Sequence, residues 1–255
     1  MNDPISEHRG YLLGLAYRIT GDAAAAEDIV QEAMLRAIER PPPDTDRPWR
    51  PWLTRVTANV ARDQLRRRRR RRYFGTWLPA PIDTGGVHQA WMRVEPDAGP
   101  EARIGARQSV TFAFLLAAET LTPQQRCVLV LRDVYGLSVS ETSLALEMTA
   151  SNVKVTLHRA RRKLQAAELP APSVEDRKAA EAALVGLLMA IQTGDIDAMV
   201  RLLHEDVVAC GDGGGKSPAA PRPHRGRQRV LAALSVARPS RPPLVAKVSE
   251  INGEP

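Results

Sequence analysis

The sequence predicts a mainly α-helical protein: two helical modules, the second a helix-turn-helix, joined by a flexible linker and followed by a smaller mixed α/β part. Three observations carry that reading. Apolar residues recur at helical spacing between Leu12 and Leu65 and again between Leu121 and Leu164. A Gly- and Pro-rich stretch from Tyr73 to Pro100 separates the two. Strand candidates appear only beyond residue 200. The boundaries that follow are 1–72, a linker at 73–103, a second module at 104–168 and a last part at 174–255.

The first module opens with Leu12, Leu13, Leu15, Ala16 and Ile19 on one helical stripe, broken at Thr20-Gly21-Asp22. Asp22 then caps a second amphipathic helix whose apolar positions are Ala26, Ile29, Val30, Ala33, Met34, Ala37 and Ile38. Pro41-Pro42-Pro43 stops it, because proline lacks the amide donor and clashes with the preceding turn. A third helix is expected from near Pro48 to Arg70, with Trp52, Leu53, Val56, Val60 and Leu65 facing inward. Between Trp49 and Arg72 it carries ten arginines against one acid, Asp63. Arginine at that density neutralises phosphates. Trp49, Trp52 and Asn59 add aromatic surface for stacking and an amide for a base edge. The bland alternative is a solvated helix end with a basic tail.

The linker holds Trp77-Leu78-Pro79-Ala80-Pro81 and reads as lacking regular structure. In the second module Thr122, Pro123 and Gln125 form a capping-box arrangement, and Val128, Leu129, Leu131 and Val134 make the buried stripe of the helix that follows. Gly136 ends it. Ser138 or Ser140 caps a short helix expected to bury Leu144 and Leu146. A tight turn at Glu147-Met148-Thr149 leads to a last helix from near Ser151, burying Val153, Leu157, Ala160 and Leu164. Its other faces carry Asn152, Lys154, Thr156, His158, Arg159, Arg161, Arg162 and Lys163 without an acid among them. Two short helices, a tight turn and a basic third helix suit insertion into a DNA major groove.

Beyond the hinge at 169–173 a helix pair is expected at Val174–Gln192 and Asp195–His204, with strand candidates at Asp206–Cys210 and Leu244–Ile251. Between these lie the Gly-rich Asp212-Gly213-Gly214-Gly215-Lys216 and a Pro/Arg-rich stretch.

Composition bounds the function. With 44% hydrophobic and 25% charged residues the chain reads as globular, and a net charge of +7 points to a polyanionic partner. Cys127 and Cys210 form no CxxC pair and no Cys/His cluster, so no metal, cofactor or disulfide scaffold is expected. The polar start MNDPISEHRG is no signal peptide, and Ala182–Ile191 is too short to span a bilayer. A cytoplasmic chain with no membrane contact is the expectation.

The segments YRITGDAAAAEDIVQEAMLRAIER, RPWLTRVTANVARDQLRRRR and LTPQQRCVLVLRDVYGLSVSETSLALEMTASNVKVTLHRARRKL resemble, in that order, the two modules of extracytoplasmic-function sigma factors of the sigma-70 family. The resemblance covers most of residues 8–168. It implies a factor that binds RNA polymerase core and starts transcription at specific promoters, reading both double- and single-stranded promoter DNA. Asp28, Gln31, Glu32 and Leu35 would face the clamp helices of the largest subunit, and the second module would dock on the polymerase flap. The loop from Pro43 to Pro48 would hold a flipped-out base, with Trp52, Arg55, Asn59, Arg62 and Arg66 beside it at the −10 element. Asn152, Lys154, Val155, His158, Arg159 and Arg162 would face the −35 major groove.

Two features resemble a narrower group with a C-terminal SnoaL-like extension that stands in for a separate anti-sigma protein, none being evident here. They are Trp77, Leu78 and Pro79 in the linker, where the group tends to have glutamate at the position of Ala80, and Asp212, Gly213, Gly214, Gly215 and Lys216. The implied role is a regulatory contact within the chain. Residues 174–255 supply fewer strands than that fold needs, so a partial α+β domain is expected. An enzymatic extension is the rival reading; Asp195, His204, Asp206 and Asp212 are its acid/base candidates, and they assemble no Ser/His/Asp set, nucleotide loop or metal cluster. A helix-turn-helix regulator that never meets polymerase is the other rival, and it leaves the acidic face of the second helix unexplained.

Overall fold

The structure is a computed structural model, and it describes residues 7–70, 78–86, 88–92, 108–167, 174–212, 220, 222–237 and 251–252. The chain divides into two compact units, one of residues 1–72, 79–168 and 248–255, the other of 73–78 and 169–247. Both helical modules therefore belong to one unit.

In that unit α1 spans Arg9–Thr20, α2 Ala23–Glu39 and α3 Trp49–Arg70. Every residue of α1 from Tyr11 to Thr20 is buried. The helix ends at Gly21, whose φ of 67° is the left-handed cap that glycine adopts without strain. Asp22 caps α2 as expected, its carboxylate accepting from Ala25 N–H at 3.0 Å. α2 buries Ala26, Ile29, Val30, Ala33 and Ala37. Ile38, expected inside, is 69% exposed, and Met34 is only partly covered. α3 also packs differently from expectation. Its buried stripe is Leu53, Thr54, Thr57, Ala58, Ala61 and Leu65, small residues that let neighbours approach, while Val56 and Val60 lie at the margin.

The second module follows its sequence signals closely. After α4 (Phe112–Ala118) comes α5 (Pro123–Leu129), with both hydrogen bonds of the capping box between Thr122 and Gln125. α5 runs on into a π-helical turn, Val130–Val134. Ser138 caps α6 (Val139–Leu146) in a second capping box with Glu141, whose carboxyl the Ser138 hydrogen bonds hold below its ordinary pKa. Glu147 makes the turn at φ 56°, and α7 spans Ala150–Ala167. Val153, Leu157 and Ala160 are buried and Leu164 half-buried. Leu144 departs from expectation: it is 70% exposed, because the inward positions of α6 go to Thr142, Ala145 and Leu146.

The described part of the linker is folded rather than irregular. Ala80 N–H donates to Gly21 C=O at 2.9 Å. Tyr17 Oη donates to Ala80 C=O at 2.7 Å. A 3₁₀ turn, Gln89–Met92, buries Trp91 against Tyr17, ring centroids 5.8 Å apart. The Trp91 carbonyl accepts from Arg18 Nη1 at 2.7 Å and lies so close to Gly14 that any Cβ there would collide with it.

Two buried arginines tie the modules together. Arg18 of α1 donates to Ser109 Oγ (2.8 Å) and Tyr135 Oη (3.3 Å). Arg126 of α5 donates to the Ile19 carbonyl (2.9 Å), to Ala118 C=O (3.0 Å) and to Glu119 (2.5 Å). Burial lowers the Arg126 pKa and the Glu119 carboxylate opposes that shift. Glu119 also takes Arg68 of α3 at 2.6 Å, and Arg68 reaches the Thr20 carbonyl at 3.1 Å.

In the other unit α8 (Val174–Thr193) is followed by α9 (Ile196–Leu202), capped by Asp195, whose carboxylate accepts from Ala198 N–H at 2.8 Å. Strands β1 (Val208–Ala209) and β2 (His224–Arg225) pair antiparallel. The Pro/Arg-rich stretch leads into a helix absent from the sequence reading, α10 (Arg227–Ala237). Among the described residues of this unit, Ala190, Met199, Leu203 and Val230 are the buried apolar ones. Of the strand candidate at Leu244–Ile251 only Ile251 lies among the described residues, and it bridges to Asp83 in the first unit.

Two outcomes are expected from this packing. Glu119→Ala leaves Arg126 and Arg68 without their shared carboxylate and lowers stability by about 3 kcal/mol, read by urea denaturation. Gly14→Ala, which in an open helix stabilises by about 1 kcal/mol, here lowers the melting temperature, because the Trp91 turn has to move.

Candidate nucleic-acid interface

Lys154, Val155, His158, Arg159 and Arg162 stand exposed on α7, with Asn152 near its start. The buried seam Val153, Leu157 and Ala160 lies opposite and fixes the rotation of the helix about its axis. Val155 is 45% exposed, apolar surface of the kind that meets a thymine methyl. Arg161 leaves this set: Asp133 binds it through two bonds of 2.9 and 2.6 Å, which also raises its pKa. That pairing was hidden in the sequence because Asp133 sits 28 positions away in the π turn.

The basic helix α3 is differently placed. Arg55 pairs with Glu147 at 2.8 Å. Asn59 Nδ2 donates to the Ala145 carbonyl at 2.9 Å, and Arg62 Nη1 to the Leu146 carbonyl at 3.0 Å. The last carbonyls of α6 have no partner within their own helix, so side-chain donors from α3 complete them. Arg66 pairs with Asp63 (3.3 Å), and Arg69 donates to the Leu121 and Glu119 carbonyls. Of the residues expected to meet opened DNA, Arg55, Asn59 and Arg62 are thus engaged with the helix-turn-helix, and the basic run is in part a structural clamp. Arg71 and Arg72 lie outside the described residues.

The proline loop is braced by contacts within itself. Asp44 pairs with Arg47 at 2.9 Å and accepts from Asp46 N–H at 3.2 Å. Trp49 Nε1 donates to Thr45 C=O, and the Trp49 and Trp52 rings meet edge to face, centroids 6.5 Å apart.

Asp28, Gln31, Glu32 and Leu35 share one exposed face of α2, Glu32 paired with Arg36 at 2.9 Å. Leu35 is 49% exposed and Ile38 one turn on 69%, so the apolar part of this face is wider than the sequence reading made it.

Of the regulatory-contact residues, Leu78 N–H donates to the Asp212 carboxylate at 2.9 Å, within the second unit. Pro79 is buried, and Trp77 and Gly213, Gly214, Gly215 and Lys216 lie outside the described residues. The acid/base candidates of the extension have structural partners: Asp195 caps α9, and His204 Nδ1 accepts from Asp206 N–H at 3.2 Å. Among the described residues no cluster of His, Cys, Asp or Glu can hold a metal, and no helix is long and apolar enough to cross a membrane. Cys127 is fully buried, its thiol pKa pushed up to about 12 by burial.

Residues 5–71 match the family model for Sigma-70 region 2, and residues 111–164 that for Sigma-70, region 4. The chain is 39% identical over 228 residues to the ECF RNA polymerase sigma factor SigJ of Mycobacterium tuberculosis, which covers 88% of this chain and 68% of the relative. It is 32% identical over 210 residues to the probable ECF RNA polymerase sigma factor SigI of the same species, covering 81% and 69%. The crystal structure of the M. tuberculosis extracytoplasmic function sigma factor SigJ matches with a TM-score of 0.65 and 31% identity, over 98% of this chain and 82% of that one.

The two asparagines expected to meet DNA differ in their surroundings, and their truncations separate accordingly. Asn59→Ala strands the Ala145 carbonyl and costs about 1–2 kcal/mol. Asn152→Ala, on an exposed face, stays within about 0.5 kcal/mol. Thermal denaturation of both variants reads the difference.

Proposed function

The chain belongs to the extracytoplasmic-function RNA polymerase sigma factors and acts with RNA polymerase in promoter-specific transcription initiation; we propose that three of its surfaces divide that work. The family binds polymerase core and promoter DNA and is not catalytic. The finer assignment rests on one observation: the exposed face of α7 presents Lys154, His158, Arg159 and Arg162 with Asn152 and Val155, on a helix-turn-helix whose other side is buried.

On this reading α7 enters the −35 major groove, its cations on phosphates and its Asn152 on a base edge. The α2 face of Asp28, Gln31, Glu32 and Leu35, widened by Ile38, docks on the clamp helices of the largest subunit, while the second module meets the flap. The α3 residues Trp52, Arg55, Asn59, Arg62 and Arg66, with the loop from Pro43 to Pro48, take the opened strand at −10. Stacking and cationic tracking are what an unpaired strand offers a protein to hold. For Arg55, Asn59 and Arg62 to do so, α6 has to move away from α3.

The second unit is a SnoaL-like extension that tunes this activity in place of a separate anti-sigma protein. The Leu78–Asp212 hydrogen bond supports that role, because it joins the linker to the residue that opens the Gly-rich loop.

Run-off transcription with purified core polymerase on a promoter panel tests the whole. Lys154→Ala with Arg162→Ala is expected to cut promoter-specific transcripts while core binding, measured by gel filtration, persists; an equal loss of both would overturn the assignment. Deleting the residues after Pro170 is expected to change transcript yield, and an unchanged yield would remove the regulatory role.

A further inference from the structure

Asn252 lies 235 positions from Tyr17 in sequence and touches it directly. The residue is 1% exposed and adopts φ 55°. Its carboxamide is fully engaged. Nδ2 donates to Tyr17 Oη at 2.6 Å and to the Val110 carbonyl at 2.7 Å, and Oδ1 accepts from Ile82 N–H at 3.0 Å. Its backbone N–H donates to Ile82 C=O at 3.0 Å, and Ile251 bridges to Asp83. All of these residues belong to the first unit.

The partners come from three separate stretches. Tyr17 is on α1 in the first sigma module, Ile82 is in the linker, and Val110 stands just ahead of α4 in the second. Tyr17, Ile82 and Val110 are each at most 1% exposed. Tyr17 is oriented by donating to Ala80 C=O, so its oxygen is left to accept from Asn252. Burial pushes the Tyr17 pKa up to about 12, which keeps the phenol neutral and able to fill both roles. Only a carboxamide offers two donors and an acceptor in this arrangement. Without it the Val110 carbonyl and the Ile82 amide lose a partner where water has no access, which disfavours the closed arrangement.

We propose that Asn252 is a key in a three-walled socket of Tyr17, Ile82 and Val110, and that its docking holds the two sigma modules and their linker in the closed form in which α6 covers Arg55, Asn59 and Arg62 of α3. The occupant is this chain's own turn at residues 251–252. Emptying the socket loosens the modules and frees α3. The consequence for transcription rests on the regulatory reading above; the socket does not.

The test uses the full chain and two variants. Asn252→Asp keeps the shape and the acceptor but points an oxygen at Tyr17 Oη and Val110 C=O. Asn252→Gly keeps the left-handed backbone and the bond to Ile82 C=O while removing the carboxamide, which separates amide loss from backbone strain. Hydrogen exchange at the Ile82 amide is expected to rise about tenfold or more in both. Spin labels placed at Glu27 and Gln165, in a Cys210→Ser background, are expected to show one distance in the parent and a broadened distribution in the variants. Exchange unchanged within about twofold overturns the socket, and raised exchange with an unbroadened distance overturns its hold on the modules. Run-off transcription is the separate arm: higher yield from both variants extends the inference to regulation. Loosened modules with unaltered yield leave the socket standing and remove the regulatory reading instead.

Discussion

The first unit depends on one recurring interaction, a cationic or amide side chain completing the carbonyl end of a helix other than its own, most often across the two modules. The last carbonyls of any α-helix lack amide partners, and the helix dipole makes that end attractive to positive charge. At the end of α1, Arg126 takes Ile19 C=O and Arg68 takes Thr20 C=O, with Glu119 between the two guanidinium groups. At the end of α6, Asn59 takes Ala145 C=O and Arg62 takes Leu146 C=O. Apolar burial supplies most of the stability of such a unit, but it does not set the register of one module against the other. These directional bonds do.

On the proposed assignment of α3 to opened DNA, the same chemistry sets closure and DNA binding in competition. A guanidinium or a carboxamide that caps a helix end offers the donors that a phosphate or a base edge accepts. Each such bond contributes about 1 kcal/mol net, less than nucleic acid and polymerase together can supply. The two ends are not equivalent. Arg126 is 2% exposed and its contacts are internal, so that end is suited to hold. Arg55 and Glu147 are both more than a third exposed, so the α6 end is suited to release.

Much of the fold was legible in the sequence because it rests on local rules. The Asp22 cap, the Thr122 and Ser138 capping boxes, the proline stop after α2 and the buried stripe of α7 are each fixed by residues within a few positions of one another. What escaped was set at long range. Leu144 has the hydrophobicity of a core residue, yet the small Ala145 faces α3, where close approach lets Asn59 reach the backbone. The linker read as irregular because Gly and Pro dominate it, while its order comes from Tyr17 and Trp91 packing and from hydrogen bonds to α1. The α10 helix was masked by the prolines ahead of it. Of the proposed nucleic-acid surface, the exposure of the α7 face was readable from its charge pattern. The engagement of Arg55, Asn59 and Arg62 was not, since nothing near them in sequence names α6 as their partner.

On the proposed assignment, that asymmetry orders the steps of promoter engagement. The face proposed for duplex DNA, that of α7, is already exposed. The face proposed for a melted strand, that of α3, is engaged by α6 at Asn59 and Arg62. Unstacking a base costs a few kcal/mol, and a surface that bound single strands before polymerase arrived would hold them without doing useful work. On that assignment, coupling exposure of α3 to separation of the modules would confine strand capture to a state in which the two modules are held apart. The basic run after Leu65 ties the modules together through Arg68 and Arg69, and on the proposed assignment the same guanidinium groups carry the charge a phosphate backbone would meet.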